Sequence, residues 1–205
     1  MTTGKGEEVN YLRKRLDHLR SCIIEIENRL SDDKTDFINR CQDEDTRAKY
    51  VIHIEGAVLN TFRYSMLVAV CTFLEESVRS LCGRAVTDYA TRLKASGRGT
   101  WLAKHRCLLA NHTSVDVVGM KRDLDTMEEF VQVRNCIAHA WGKVDACRNN
   151  RQLRDIVSTR SECFYLSADG FLIALDQAVL TALTASRRIV DKLLRDLLGL
   201  PKRSM

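Results

Sequence analysis

Residues 62–82 read FRYSMLVAVCTFLEESVRSLC, and this stretch decides the fold class. It is apolar almost all round the helical wheel up to Glu75, which places such a helix at the centre of a bundle. The longest apolar run, residues 64–74, is closed by Arg63 and Glu75. A membrane-spanning helix needs about 20 apolar residues, so the run is expected to be a core helix. The helical pattern around it extends from about Arg47 to Leu93. The single proline of the 205 residues is Pro201. Two hundred residues without a proline break favour long helices over a turn-rich β fold.

Composition agrees with a folded soluble chain. Apolar residues make up 45%, charged residues 29%, and the net charge is +5. That balance allows an anionic partner without demanding one. The first ten residues, MTTGKGEEVN, carry no apolar stretch of the secretory kind. Among the eight cysteines the closest pairs are eleven positions apart, so no CxxC pair exists for zinc or redox work. A cytoplasmic protein with free thiols is expected.

Outward from the central helix, Leu12, Leu16, Leu19, Ile23, Ile26 and Leu30 alternate steps of four and three. This heptad seam predicts a helix over about 8–31. It fits a bundle helix packed on its neighbours, and it also fits a dimer seam. Residues 32–45 hold six acidic and two basic side chains and read as a solvated connection or helix edge. Gly97 and Gly99 break the pattern after the central helix. Residues 89–106 carry five basic side chains and no acidic one, which suits either an exposed loop or an edge that contacts phosphate through Lys104 and Arg106.

A short helix is expected from Thr100 to about His112. Its His105 and Cys107 point about 200° apart, so no metal site is expected there. A further helix spans about 123–141, with Thr126 and Glu129 as a capping box and Gly142 at its end. Helical patterns follow at 149–159 and 174–198, the last with a basic flank of Arg187, Arg188, Lys192 and Arg195. Between them, 163–175 reads as two short strands around Asp169-Gly170, or as a loop leading into the last helix. The whole is an all-α up-and-down bundle, one domain over 1–205 with its core at about 47–198. It carries an extra N-terminal helix and a small hairpin.

The chemistry sits on the helix at 123–141. At about 100° per residue, Met127, Phe130, Val133, Ile137 and Trp141 form the buried arc, and Arg134 falls inside it. A guanidinium there is expensive unless it is paired or faces a wet cleft. Asn135 and His139 are one turn apart and neighbours on the surface. Arginine donates to two phosphate oxygens, histidine moves protons near neutral pH, and asparagine can donate to phosphate or fix an imidazole tautomer. Together they suffice to cleave RNA without metal or cofactor. The alternative is a structural Arg134 paired with Glu75 or Glu76 and a His139 that answers the helix dipole.

RNCIAHAWG (134–142) resembles the Arg-Asn-x-x-x-His signature of the HEPN superfamily, an arginine separated from a histidine by four to six residues. Arg134, Asn135 and His139 match it, and RYSMLVAVCTFLEESVRSLC resembles the apolar-then-Glu helix of many such domains. The specific likeness covers roughly thirty residues, and helical order extends it loosely over 47–198. It implies a bundle that dimerises through its motif helices and a metal-independent endoribonuclease of the toxin–antitoxin or phage-defence kind. It also implies an antitoxin or regulatory protein as partner. By resemblance Arg134 binds the scissile phosphate, His139 transfers a proton or orients the phosphate, Asn135 assists, and Glu75 or Glu76 holds Arg134. Lys104, Arg106, Lys143, Arg148 and Arg151 are the candidate RNA contacts. Some HEPN domains bind RNA, nucleotide or protein without cleaving, which is the alternative function. A scaffold working through the heptad helix is a third reading.

Overall fold

The computed structural model describes residues 3–199. Among them the chain is all-α, with eight α-helices and one two-stranded sheet. The helices are α1 (Thr3–Arg40), α2 (Glu44–His53), α3 (Asn60–Ala85), α4 (Tyr89–Ala95), α5 (Trp101–His112), α6 (Lys121–Ala140), α7 (Asn150–Thr159) and α8 (Asp176–Leu198). A π-helical segment, Ile54–Leu59, joins α2 to α3. The strands β1 (Phe164–Leu166) and β2 (Leu172–Ala174) pair antiparallel between α7 and α8.

The chain divides into two compact units, each discontinuous in sequence. The first comprises 3–16, 69–132 and 182–199, the second 17–68 and 133–181. In the first, Val70, Leu74, Leu81, Leu108, Met127, Phe130, Val190 and Leu194 are buried. Arg13 pairs with Asp191 at 2.8 Å and Arg188 with Asp123 at 3.4 Å. Lys192 pairs with Asp196 at 2.8 Å, so much of the basic flank of α8 is ion-paired. In the second unit Ile23, Leu67, Val133, Leu153, Phe164, Leu172 and Val179 are buried. There Arg63 donates to both Glu27 oxygens at 2.7 and 2.8 Å and to the Ala174 carbonyl at 3.2 Å.

Several boundaries differ from the sequence reading. The acidic stretch after residue 31 stays helical to Arg40, where Arg40 pairs with Asp36 one turn back. The break falls at Cys41–Gln42, and Asp43 caps α2 by accepting from the Thr46 N–H at 2.8 Å. The long central pattern starts earlier, at Glu44, and ends at Ala85 rather than Leu93, since Asp88 turns left-handed at φ 55°. α6 starts at Lys121, not at a Thr126–Glu129 box. Thr126 is buried inside it. The true start is a side-chain cap in which Asp116 accepts from the Gly119 N–H, three residues on, at 2.9 Å at the entry to a 3-10 turn.

The segment Glu44–Ala85 is long and apolar enough to cross a membrane by length and composition, with a window of mean hydropathy 1.5. The short apolar run taken alone understated this. Of that window 44% is buried inside the protein, and Leu67, Val70, Cys71 and Leu74 are almost fully enclosed, as core-helix residues are. Along α1, Leu12, Leu16 and Ile23 of the heptad seam are buried while Ile24 and Ile26 stay exposed.

His105 is buried in the first unit and explains itself without a metal. Its Nδ1 lies 2.7 Å from the Trp101 carbonyl and its Nε2 2.7 Å from the Tyr89 hydroxyl. With Nδ1–H donating and Nε2 accepting, both ring nitrogens of the neutral imidazole are satisfied. Burial pushes its pKa below 6.5, and Arg79 adds to this against the raising effects of the Trp101 hydrogen bond and Glu75. The unfolded chain therefore binds this proton more readily than the folded one. The stability His105 confers is complete above about pH 6.5 and is lost as pH falls through its lower folded pKa. Urea unfolding between pH 7 and 5 is expected to show this fall, and His105→Gln to flatten it. An unchanged slope in the variant would remove His105 as its source.

Candidate functional site

Asn135 and His139 lie one turn apart on α6 and line a common open depression of about 410 Å³. The rest of its wall is Cys136, Ala140, Ala146, Cys147, Arg148 and Asn149. All belong to the second unit. Three kinds of polar group thus share one hollow: the amides of Asn135 and Asn149, an imidazole and a guanidinium. His139 and Arg148 are both exposed, and among the described residues neither is ion-paired. Arg134 is half-buried on the same helix beside Asn135 and is not part of the lining. Cys136 is buried, and burial first, then the neighbouring Cys147 thiol, push its own thiol up to about 12. It is not a nucleophile at neutral pH.

The corner after α6 builds this hollow. Trp141 and Gly142 take left-handed φ values of 53° and 80°. The Trp141 N–H reaches the Ile137 carbonyl at 3.0 Å and the Gly142 N–H the Cys136 carbonyl at 3.2 Å, which closes the helix end. The chain then turns into the 3-10 turn Val144–Ala146, and this brings Cys147 and Arg148 back against α6. The corner is pinned to the hairpin. The Leu172 N–H donates to the Gly142 carbonyl at 2.9 Å, the Val144 N–H to the Gly170 carbonyl at 3.1 Å, and Lys143 bridges Phe171. Tyr64 donates to the Leu172 carbonyl, and burial raises its phenol pKa to about 12, so it stays a donor.

Gly142 is fixed by two independent constraints. Its φ is left-handed, and a Cβ there would lie 2.0 Å from the Tyr64 hydroxyl. Gly142→Ala is therefore expected to cost about 2–5 kcal/mol, the sum of a left-handed penalty and an overpacking strain. Thermal unfolding checks this, and a melting temperature within about 2 °C of the parent would contradict it.

The other sequence-derived candidates are divided between the two units. Glu75 belongs to the first unit and pairs with Arg79 at 2.9 Å, and Glu76 is exposed one residue on. Arg106, in the first unit, is engaged by Asp125 at 2.7 Å, and Lys104 is half-exposed on the same helix. Lys143, Arg148 and Arg151 are exposed in the second unit, so these three share a unit with Asn135 and His139. Lys143 Nζ sits 5.6 Å from the Phe171 ring centroid. Trp141, expected on the buried arc, is instead 84% exposed because the helix ends at Ala140 and the wheel stops applying. Cys147 and Asn149 were not singled out from the sequence. The signal was the Trp-Gly pair at a helix end, which marks a reversal that folds the next segment back. Among the described residues no three His, Cys, Asp or Glu side chains are grouped to hold a metal ion.

Compared with known proteins, the chain matches no family model, no curated protein and no solved structure.

Proposed function

We propose that this chain is a metal-independent endoribonuclease of the HEPN kind. The observation that carries the reading is the shared depression in which Asn135, His139 and Arg148 meet, with Arg134 adjacent on the same helix. An imidazole there takes the proton of a ribose 2′-hydroxyl, and the freed oxygen attacks the neighbouring phosphorus. Guanidinium and amide donors hold the non-bridging oxygens as negative charge builds. The imidazolium so formed returns its proton to the 5′-oxygen as the P–O5′ bond breaks, so the products carry a 2′,3′-cyclic phosphate and a 5′-hydroxyl. Under this reading the protein is a cytoplasmic homodimer in which motif helices of two copies face each other, with an antitoxin or regulatory protein as partner. Lys143, Arg148 and Arg151 supply phosphate contacts.

The half-burial of Arg134 outside the lining favours a second reading, a non-catalytic module that binds RNA or nucleotide. One experiment separates them. Purified protein is incubated with single-stranded and structured RNA in excess EDTA, beside an Arg134→Ala, His139→Ala double variant. The nuclease reading expects cyclic-phosphate ends from the parent alone. Binding without cleavage supports the module, and equal cleavage by both proteins sinks the assignment of these residues.

A further inference from the structure

We propose that Trp141 is a stacking platform for an unpaired base, which makes single-stranded RNA the substrate class of the depression. The inference rests on the RNA reading above and narrows it. Trp141 is 84% exposed, the most solvent-exposed of the large aromatic side chains described. An exposed indole forgoes the burial that usually dominates its energetics. Its backbone is also left-handed at φ 53°, a conformation that residues with a Cβ adopt only where their surroundings impose it.

The surroundings here are rigid. Gly142 and Val144, on either side of Lys143, are hydrogen-bonded to Leu172 and Gly170 of the hairpin, and the Lys143 N–H donates to the Ala140 carbonyl at 2.9 Å. The indole therefore stands on a fixed corner, two residues after His139, and not on a loose loop tip. The exposed Lys143 follows two residues later, with its Nζ 5.6 Å from the exposed Phe171 ring, and the exposed cations Arg148 and Arg151 belong to the same unit. A flat aromatic face among cations is the chemistry by which unpaired bases and their phosphates are held together. Bases inside a duplex are already stacked and present no free face, so the platform selects single strands. The cations argue for nucleic acid over a protein partner, whose hot-spot pockets do not require them.

The probe is an RNA of about 12 nucleotides, within the span of single-strand sites, used alone and annealed to its complement. Binding is measured to the His139→Ala protein, with and without Trp141→Ala or Trp141→Phe. Stacking of one base predicts that Trp141→Ala weakens single-strand binding about 5- to 100-fold. Trp141→Phe should keep most of it, and duplex binding should be unmoved. The single strand should also quench tryptophan emission in the parent but not in Trp141→Phe, where only Trp101 remains. Equal single-strand affinity in Trp141→Ala overturns the proposal, as does failure of any RNA to bind. A loss of self-association with unchanged RNA affinity would give the indole to a protein contact instead. Trp141-dependent binding with no cleavage by the wild type leaves the platform standing and removes the nuclease reading. Cleavage that ignores Trp141 does the reverse.

Discussion

His139→Ala is expected to slow single-turnover cleavage of a single-stranded RNA by about 10²–10⁴-fold, the range by which a positioned proton-transfer group contributes. The substrate's affinity should change far less, because a group that acts by moving a proton in the transition state adds little to ground-state binding. Arg148→Ala should behave differently. Under the proposed function it removes a guanidinium that would touch phosphate in both ground and transition states, so it should raise KM, flatten the salt dependence of binding and lower kcat to a smaller degree. Arg134 separates the two readings of the site. If its fork reaches the scissile phosphate, Arg134→Lys loses the paired donation and falls close to Arg134→Ala in rate. If Arg134 is structural, both variants lose stability first, and the rate of the remaining folded protein is little changed. Parallel unfolding curves on each variant keep these outcomes apart. A His139→Ala protein that cleaves at the parental rate would end the assignment.

Much of the fold could be read from short-range signals. Thr100 caps α5 by accepting from the Ala103 N–H at 3.1 Å, where a threonine before an apolar-periodic run predicts it. The Asp169-Gly170 pair sits in the turn of the hairpin, with Gly170 at φ 77°. Asn135 and His139 share a hollow because four residues is one helical turn, a spacing visible in the sequence. What the sequence hid was set by contacts between distant residues. The start of α6 is hidden because Asp116 and Gly119 form a turn outside the apolar period, while Thr126 has the spacing of a cap and is a buried core position. A helical wheel puts Trp141 on the buried arc because it assumes that the helix continues, and only the left-handed corner shows that it does not. Arg148 entered as one cation among several. Its place beside His139 comes from the reversal at 141–147, which depends on hydrogen bonds to the hairpin some thirty residues later.

A large stability loss is expected from Glu27→Ala, in a pair that neither α1 nor α3 reveals alone. Glu27 lies on the α1 face beside Ile23, and Arg63 follows the π segment at the start of α3. The guanidinium is 8% exposed and donates twice to Glu27. Burial alone would lower its pKa, and Glu27, together with Glu55 and Asp176, more than reverses that, so the net direction is upward. Removing the carboxylate leaves a buried cation with the Ala174 carbonyl at 3.2 Å and Glu55 at 4.0 Å. Stranding one member of a buried pair costs about 3–5 kcal/mol. A cavity of about 360 Å³ borders the pair, lined also by Lys34, Leu59 and Asp176, and water entering it would hold the cost to the low end. At roughly 3 kcal/mol the melting temperature of a chain this long falls by about 6–12 °C. Glu27→Gln keeps the shape and one acceptor and should lose about half as much. The double variant Glu27→Leu, Arg63→Met removes both charges and replaces them with apolar volume, so it should be more stable than Glu27→Ala alone. Circular dichroism melts of the three proteins test this ordering. A double variant less stable than Glu27→Ala would mean that Arg63 acts chiefly through the Ala174 carbonyl, holding the hairpin to the start of α3, and not through its ion pair.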